Sequence, residues 1–184
     1  MPKVSQAHLD SRRAEILDGA RSAFAKHGYA GATVARLEEA TGLSRGAIFH
    51  YFGSKRDLFV QLSVEENRRY VDLIVERGLA EAFRAMANAD PEWLGMLLEI
   101  QGHLRHDPEF VQKVEAVAGD RDRLVNWLRE AQARGEVRQD VDFLHIGRFA
   151  SIVLNGLALR VVGGDEIDVE PLIRLLHDAI GPRN

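Results

Sequence analysis

The sequence contains no cysteine, which removes disulfides, thiolate metal sites and cysteine nucleophiles from consideration and suits a reducing cytosol. No secretory signal opens it, since Met1-Pro2-Lys3 runs into the polar residues Gln6, His8, Asp10, Ser11, Arg12 and Arg13. No apolar run is long enough to read as a membrane span. The most apolar stretch, Val141 to Val162, is interrupted by His145, Arg148, Asn155 and Arg160, as a buried helix would be. Strand alternation, internal repeats and low-complexity tracts are absent too. So are a Ser/His/Asp spacing, a phosphate-binding loop and a convincing metal set, so neither an enzyme nor a metal site is expected. What remains is a cytoplasmic, all-α protein, with 46% hydrophobic residues to build its core.

Helical periodicity predicts a first helix from about His8 to Lys26, ended at Gly28. Two short helices follow, and Ser54 can cap a long one running to about Gly78. Further helices are expected over Ala80 to Ala89 and Glu92 to His106. Asp107-Pro108 marks a new start, with Asp as cap and Pro at the first helical position, and that helix can run to Gly135. Asp140 or Asp142 opens the next, which ends near Gly163-Gly164, and Val169 to Ile180 forms the last. Two domains are therefore expected, a three-helix head over residues 1–54 and a helical body over 55–184.

The most informative stretch is Thr33 to Lys55. Thr33 and Ser44 are hydroxyl caps, each opening a short helix. Val34, Leu37 and Ala40 supply the buried stripe of the first, and Gly42 ends it because glycine tolerates the left-handed backbone. Leu43 plugs the turn, while Ile48 and Phe49 anchor the second helix from below. Arg45, Gly46, Ala47, His50 and Tyr51 are left facing outward. Two short helices joined by a tight turn, with small and hydrogen-bonding residues outward, suit a DNA major groove.

A formal net charge of −4 looks wrong for such a role until it is divided along the chain. Residues 1–60 hold nine Lys/Arg against six Asp/Glu, leaving 15 against 22 of the chain's 24 and 28 for the rest. The positive end is where phosphates would be met.

Gly42-Leu43-Ser44, His50-Tyr51-Phe52, Lys55 and Leu58 resemble the signature of the TetR family of bacterial transcriptional regulators. Ile16-Leu17, Ala20, Phe24, Gly28-Tyr29 and Thr33-Val34 fit that family's first helix, so the likeness covers roughly residues 12 to 60 closely. It implies a helix-turn-helix head, a ligand-sensing helical body, and a homodimer that represses from a palindromic operator. A narrower resemblance is to the actinobacterial aconitase repressors. It rests on Gly31-Ala32-Thr33-Val34, Leu37 to Gly42, Ser44 to His50, Leu98-Glu99-Ile100, Leu104-Arg105, Asp107-Pro108, Gly156-Leu157 and Arg160. That likeness implies a tricarboxylate such as citrate with Mg²⁺ as effector, although Gln101-Gly102-His103 and most of Val111 to Val137 depart from the pattern.

Residue by residue, Arg45 is the candidate for guanine or phosphate, and Ala47 for a thymine methyl. Gly46 lets the backbone approach the groove. His50, Tyr51, Lys55, Thr33, Ser44 and Arg36 are candidates for phosphate or a base edge. Arg12 and Arg13 read equally well as an arm or as a charged helix start. In the body, Glu99, His103, Arg105, Arg148, Asn155 and Arg160 are the effector candidates, because burying polar groups on apolar helices is costly without partners. Glu99 and His103 lie four apart, although surface pairing explains them as well, and Arg148 with Asn155 also suit an interface between subunits. Trp93, Met96 and Trp127 are read as core before pocket. The last two helices are apolar around most of their circumference, so Phe149, Ile152, Val153, Leu172, Leu175 and Leu176 are expected at a dimer interface. The rivals to a specific regulator are a helical-bundle enzyme and a non-specific architectural DNA-binding protein. The acidic body opposes the second, since non-specific binding rests on neutralising many phosphates.

Overall fold

A computed structural model describes residues 6–106, 108, 111–112 and 120–183, which form helices and no strand. In order they are α1 (Gln6–Gly31), α2 (Val34–Thr41), α3 (Arg45–Phe52), α4 (Lys55–Arg77), α5 (Leu79–Ala87), α6 (Pro91–His106), α7 (Asp120–Ala133), α8 (Phe143–Val162) and α9 (Val169–Ile180). The expected all-α class holds. Asp107 and the first part of the helix expected after it lie outside the described residues.

The chain divides into two compact units, Met1–Glu65 with Gly95–Val117, and Glu66–Leu94 with Ala118–Asn184. The division runs through α4 and α6, so the packing of the head continues past Ser54 to Glu65.

In the first unit, Ile16, Ala20 and Phe24 recur at helical spacing on α1 and are fully buried, as are Leu37 of α2, Ile48 of α3, and Leu58 and Phe59 of α4. Burying each large side chain contributes roughly 1.5–3 kcal/mol, so this burial holds the short α2 and α3 against α1 and α4. Met96 is buried as well, in keeping with a core role. Gly19 permits the close packing of α1 on α2: a Cβ there would lie 2.8 Å from the Ala40 carbonyl oxygen and 2.9 Å from Thr41 Cα. Backbone cannot swing aside as a side chain can. Gly19→Ala is therefore expected to cost about 1–3 kcal/mol, read as a lower melting temperature. An unchanged melting temperature would show that the two helices do not meet there.

α1 does not end where its periodicity does. At Gly28 the backbone leaves the helix (φ 65°, ψ 174°), then resumes for a final turn to Gly31. Glycine takes that left-handed φ without the Cβ penalty.

In the second unit, α8 packs on α5 and α7, and α9 packs on α5. Phe83, Trp93, Ile146, Ala150, Leu157 and Val161 lie in the core, so Trp93 is also core. Leu128, Val137 and Ile146 form a cluster flanked by the partly buried Trp127 and Phe143. Asp142, one of the two expected caps, opens α8 by accepting the Leu144 N–H at 2.8 Å, and Asp168 opens α9 through Glu170 N–H at 3.2 Å. Arg84 of α5 forms a bidentate pair with Glu170 of α9 at 2.6 and 3.0 Å.

The end of α9 is capped by the turn before α8. Arg138 donates its backbone N–H to the Ile180 carbonyl at 2.8 Å and Nη1 to the Ala179 carbonyl at 2.9 Å. The same guanidinium pairs with Asp140 at 2.7 and 2.6 Å and pulls that carboxyl from 3.8 down to about 2. A depressed carboxylate pKa stabilises the fold above the unfolded value and loses that effect as pH falls through the folded one. The stability gap between wild type and Arg138→Ala should therefore hold down to pH 3.8 and narrow towards pH 2. A gap that does not narrow in acid denaturation would mean the pair contributes nothing.

Candidate nucleic-acid interface

Local hydrogen bonds build α2, the turn and α3. Thr33 caps α2 by accepting the Arg36 N–H at 3.4 Å, and Ser44 caps α3 through the Ala47 N–H at 3.4 Å. Gly42 is left-handed (φ 67°, ψ 14°), and its N–H returns to the Glu38 carbonyl at 2.9 Å. Two side chains that carry no signal in the sequence brace this turn. Thr41 donates its hydroxyl to the Leu37 carbonyl at 2.7 Å and accepts the Leu43 N–H at 3.3 Å. Glu38 accepts the Arg45 N–H at 2.6 Å, placing a carboxylate at the positive end of α3. An acidic residue seven positions before a helix start is too weak a signal to have revealed it.

These bonds fix what α3 shows to solvent. Arg45, Gly46 and His50 are exposed, Ala47 and Tyr51 half-buried, and Ile48 and Phe52 buried beneath them. The His50 and Tyr51 rings meet edge to face at 5.5 Å. Thr33 and Ser44 are exposed at the two helix starts, so the predicted contact residues of α2 and α3 lie where a duplex could meet them.

Two predicted phosphate contacts are engaged elsewhere. Lys55 is half-buried, donates Nζ to the Tyr29 carbonyl at 2.8 Å and lies 4.6 Å over the Tyr29 ring. Burial lowers its ammonium pKa from the ordinary value. Its role in the structure is to tie α4 to the last turn of α1. Arg36 is exposed but donates Nη1 to the Gly31 carbonyl at 2.8 Å, bracing that same turn. Beside it, partial burial, then Arg36 and Lys26, lower the His27 pKa from 6.5, so it adds little positive charge at neutral pH. Arg12 and Arg13 are part of α1, not an arm: Arg12 pairs with Glu15 at 2.8 Å, and Arg13 lies 4.6 Å over the Phe52 ring.

The effector candidates fall in both units, Glu99 in the first and Arg148, Asn155 and Arg160 in the second. Glu99 accepts the Tyr29 N–H at 3.1 Å, a bond to the head's own backbone. The side chains of His103 and Arg105 lie outside the described residues. Arg148, Asn155 and Arg160 are all exposed on α8, and Arg160 pairs with Asp165 at 2.6 Å. They lie along the outward side of the helix. Among the described residues, no group of three or more His, Asp or Glu is placed to hold a metal ion.

The apolar face expected on the last two helices is real, with one correction. Ile152 is 69% exposed, Leu175 65% and Leu159 59%, with Phe149 and Leu144 also outward. Val153 and Leu172 are half-buried. Leu176 is buried and belongs to the core of its own unit, since it lies about 100° around α9 from the exposed Leu175. By length and composition α8 could cross a membrane. Its outward Arg148 and Asn155 would then face hydrocarbon, which is costly, while Ile146, Ala150, Leu157 and Val161 already pack inward.

Comparison with known proteins agrees with this geometry. Residues 16–62, which hold α2, α3 and most of the packing beneath them, match the bacterial regulatory proteins of the tetR family. The chain is 41% identical over 185 residues to the HTH-type transcriptional repressor AcnR of Corynebacterium diphtheriae, covering 98% of this chain and 97% of that one. It is 45% identical over 156 residues to AcnR of Corynebacterium glutamicum, covering 83% and 82%. Salmonella enterica GusR shares the fold with a TM-score of 0.73 at 21% identity, covering 96% of this chain and 97% of that one. The narrower likeness to the actinobacterial aconitase repressors therefore holds over nearly the whole length. With a braced helix-turn-helix at its head and relatives of this similarity along its length, the chain belongs to the TetR family of bacterial regulatory proteins.

Proposed function

We propose that the protein is a cytoplasmic transcriptional repressor that acts as a homodimer on a palindromic operator and answers to a small-molecule effector. One observation carries the reading. The outward side of α3 presents Arg45, Gly46 and His50 from a helix whose start is locked by Ser44 and Glu38. A single such helix reads only a few base pairs, so two related by two-fold symmetry are needed for useful specificity. The exposed apolar side chains of α8 and α9 supply a surface for that symmetry. Relatives at 41% and 45% identity that bear the name of transcriptional repressor support the direction of control.

The effector acts by shifting the population between two spacings of the heads, only one of which matches successive major grooves. A coupling of about 1–3 kcal/mol suffices for a 5- to 150-fold change in operator affinity. Citrate with Mg²⁺ is the first effector to test, and its support is the resemblance to the aconitase repressors. Arg148, Asn155 and Arg160 are exposed on α8, and Glu99 accepts the Tyr29 N–H. The test is titration of an operator fragment with and without citrate plus Mg²⁺, followed by a panel of other small metabolites. A change in affinity with one compound establishes control by an effector. Constant affinity across the panel would count against it.

A further inference from the structure

We propose that Glu99 is a positioning residue for operator binding: a carboxylate from α6 that caps the break in α1 and thereby sets the aim of the recognition helix. The proposal rests on the regulator reading above and adds to it a residue outside the DNA-contacting motif. Where α1 breaks at Gly28, the turn that follows resumes the helix as a new start would. A cap residue would normally supply an acceptor from its own side chain, and glycine has none.

Glu99 supplies it from 70 residues away, its Oε2 accepting the Tyr29 N–H at 3.1 Å. The same carboxylate occupies the space beside the break, since a Cβ on Gly28 would lie 3.1 Å from Oε1. Tyr29 is held from its other sides as well. Its carbonyl accepts Lys55 Nζ at 2.8 Å, and its ring stacks on Phe24 at 6.1 Å and meets Phe59 at 4.7 Å. The chain beyond is short and braced. Ala32 is fully buried and donates its N–H to the Gly28 carbonyl at 3.1 Å, and Thr33 then caps α2. The orientation of Tyr29 is thus carried through four residues to α2, and through the Gly42 turn to α3. Removing the carboxylate takes away the acceptor that α6 gives the Tyr29 N–H, so the segment from Gly28 to Thr33 samples more than one direction.

The test compares wild type, Glu99→Ala, Glu99→Gln and, as a control elsewhere on α6, Glu92→Ala. Operator affinity is titrated on the wild type's best-bound fragment, and amide hydrogen exchange is followed at Tyr29 to Gly31. Glu99→Ala should lose roughly tenfold in affinity, equivalent to about 1.4 kcal/mol and within the range of a lost cap. Exchange at Tyr29 should quicken while the oligomeric state stays the same. Glu99→Gln keeps an acceptor oxygen and should recover most of both, and Glu92→Ala should match wild type. Operator affinity within twofold of wild type in Glu99→Ala, or unchanged Tyr29 exchange, would overturn the proposal. If wild type selects no shared DNA site, the regulator reading fails and takes the operator part of the proposal with it. Quicker Tyr29 exchange in Glu99→Ala alone would still uphold the cap.

Discussion

Replacing Ile152 with arginine should leave a folded monomer that no longer holds its operator. Ile152 is the most exposed large apolar side chain of α8, at 69%, and it lies on the outward side that Phe149 and Leu159 share. In a two-fold seam the substituted cation enters twice and loses its water, and the effective penalty is several kcal/mol per buried ion. The dimer dissociation constant should therefore rise by roughly 10³ or more. A monomer offers one recognition helix, so operator affinity should fall with it. The variant should keep its helical content, since the mutated side chain faces away from Ile146, Ala150 and Leu157. Sedimentation velocity beside circular dichroism checks both points. A variant that sediments as wild type would remove α8 from the interface.

The second large effect is expected at Arg45, and it separates reading from assembly. Arg45 is exposed at the start of α3, with its backbone N–H fixed by Glu38 and its side chain directed to solvent. A bidentate contact to guanine discriminates by about 1–3 kcal/mol, and a symmetric dimer makes it twice. Arg45→Ala should then weaken operator binding by roughly 30- to 10⁴-fold with the dimer intact. If the guanidinium instead meets phosphate, affinity should fall alike on all sequences and the salt slope should drop by about one per contact. Tyr51→Ala should act in the same direction and more weakly, because the ring is half-buried against His50. Unchanged binding by Arg45→Ala would mean that α3 does not read this DNA.

These expectations depend on features that differ in how far the sequence discloses them. Thr33, Gly42 and Ser44 were legible because a cap or a left-handed turn is settled by residues within four positions. The last two helices of the body were legible for the same reason, through Asp142 and helical spacing. Contacts between distant positions were not. Lys55 looks like a phosphate ligand until Tyr29, 26 residues earlier, is seen to take its ammonium. Glu99 looks like a ligand residue until its 70-residue reach to the same tyrosine is known.

Faces of apolar helices were legible only in part. The apolar run on α9 includes both Leu175 and Leu176, and periodicity does not say which side meets the core; packing buries Leu176 and leaves Leu175 outside. Arg148, Asn155 and Arg160 carry the same ambiguity, since polar residues on an apolar helix suit a pocket or an outer seam equally well. Gly19 did leave a signal, a glycine inside an otherwise helical pattern, which indicates close approach of another backbone. Here that backbone is Ala40 and Thr41.

The most direct test of the central claim is to capture genomic DNA fragments on the purified full-length protein and sequence those retained. One or a few promoter fragments that share a short palindrome are expected, with half-sites about one helical turn apart. Retained fragments with no common palindrome, bound with similar affinity, would contradict that claim and make this a non-specific DNA-binding protein.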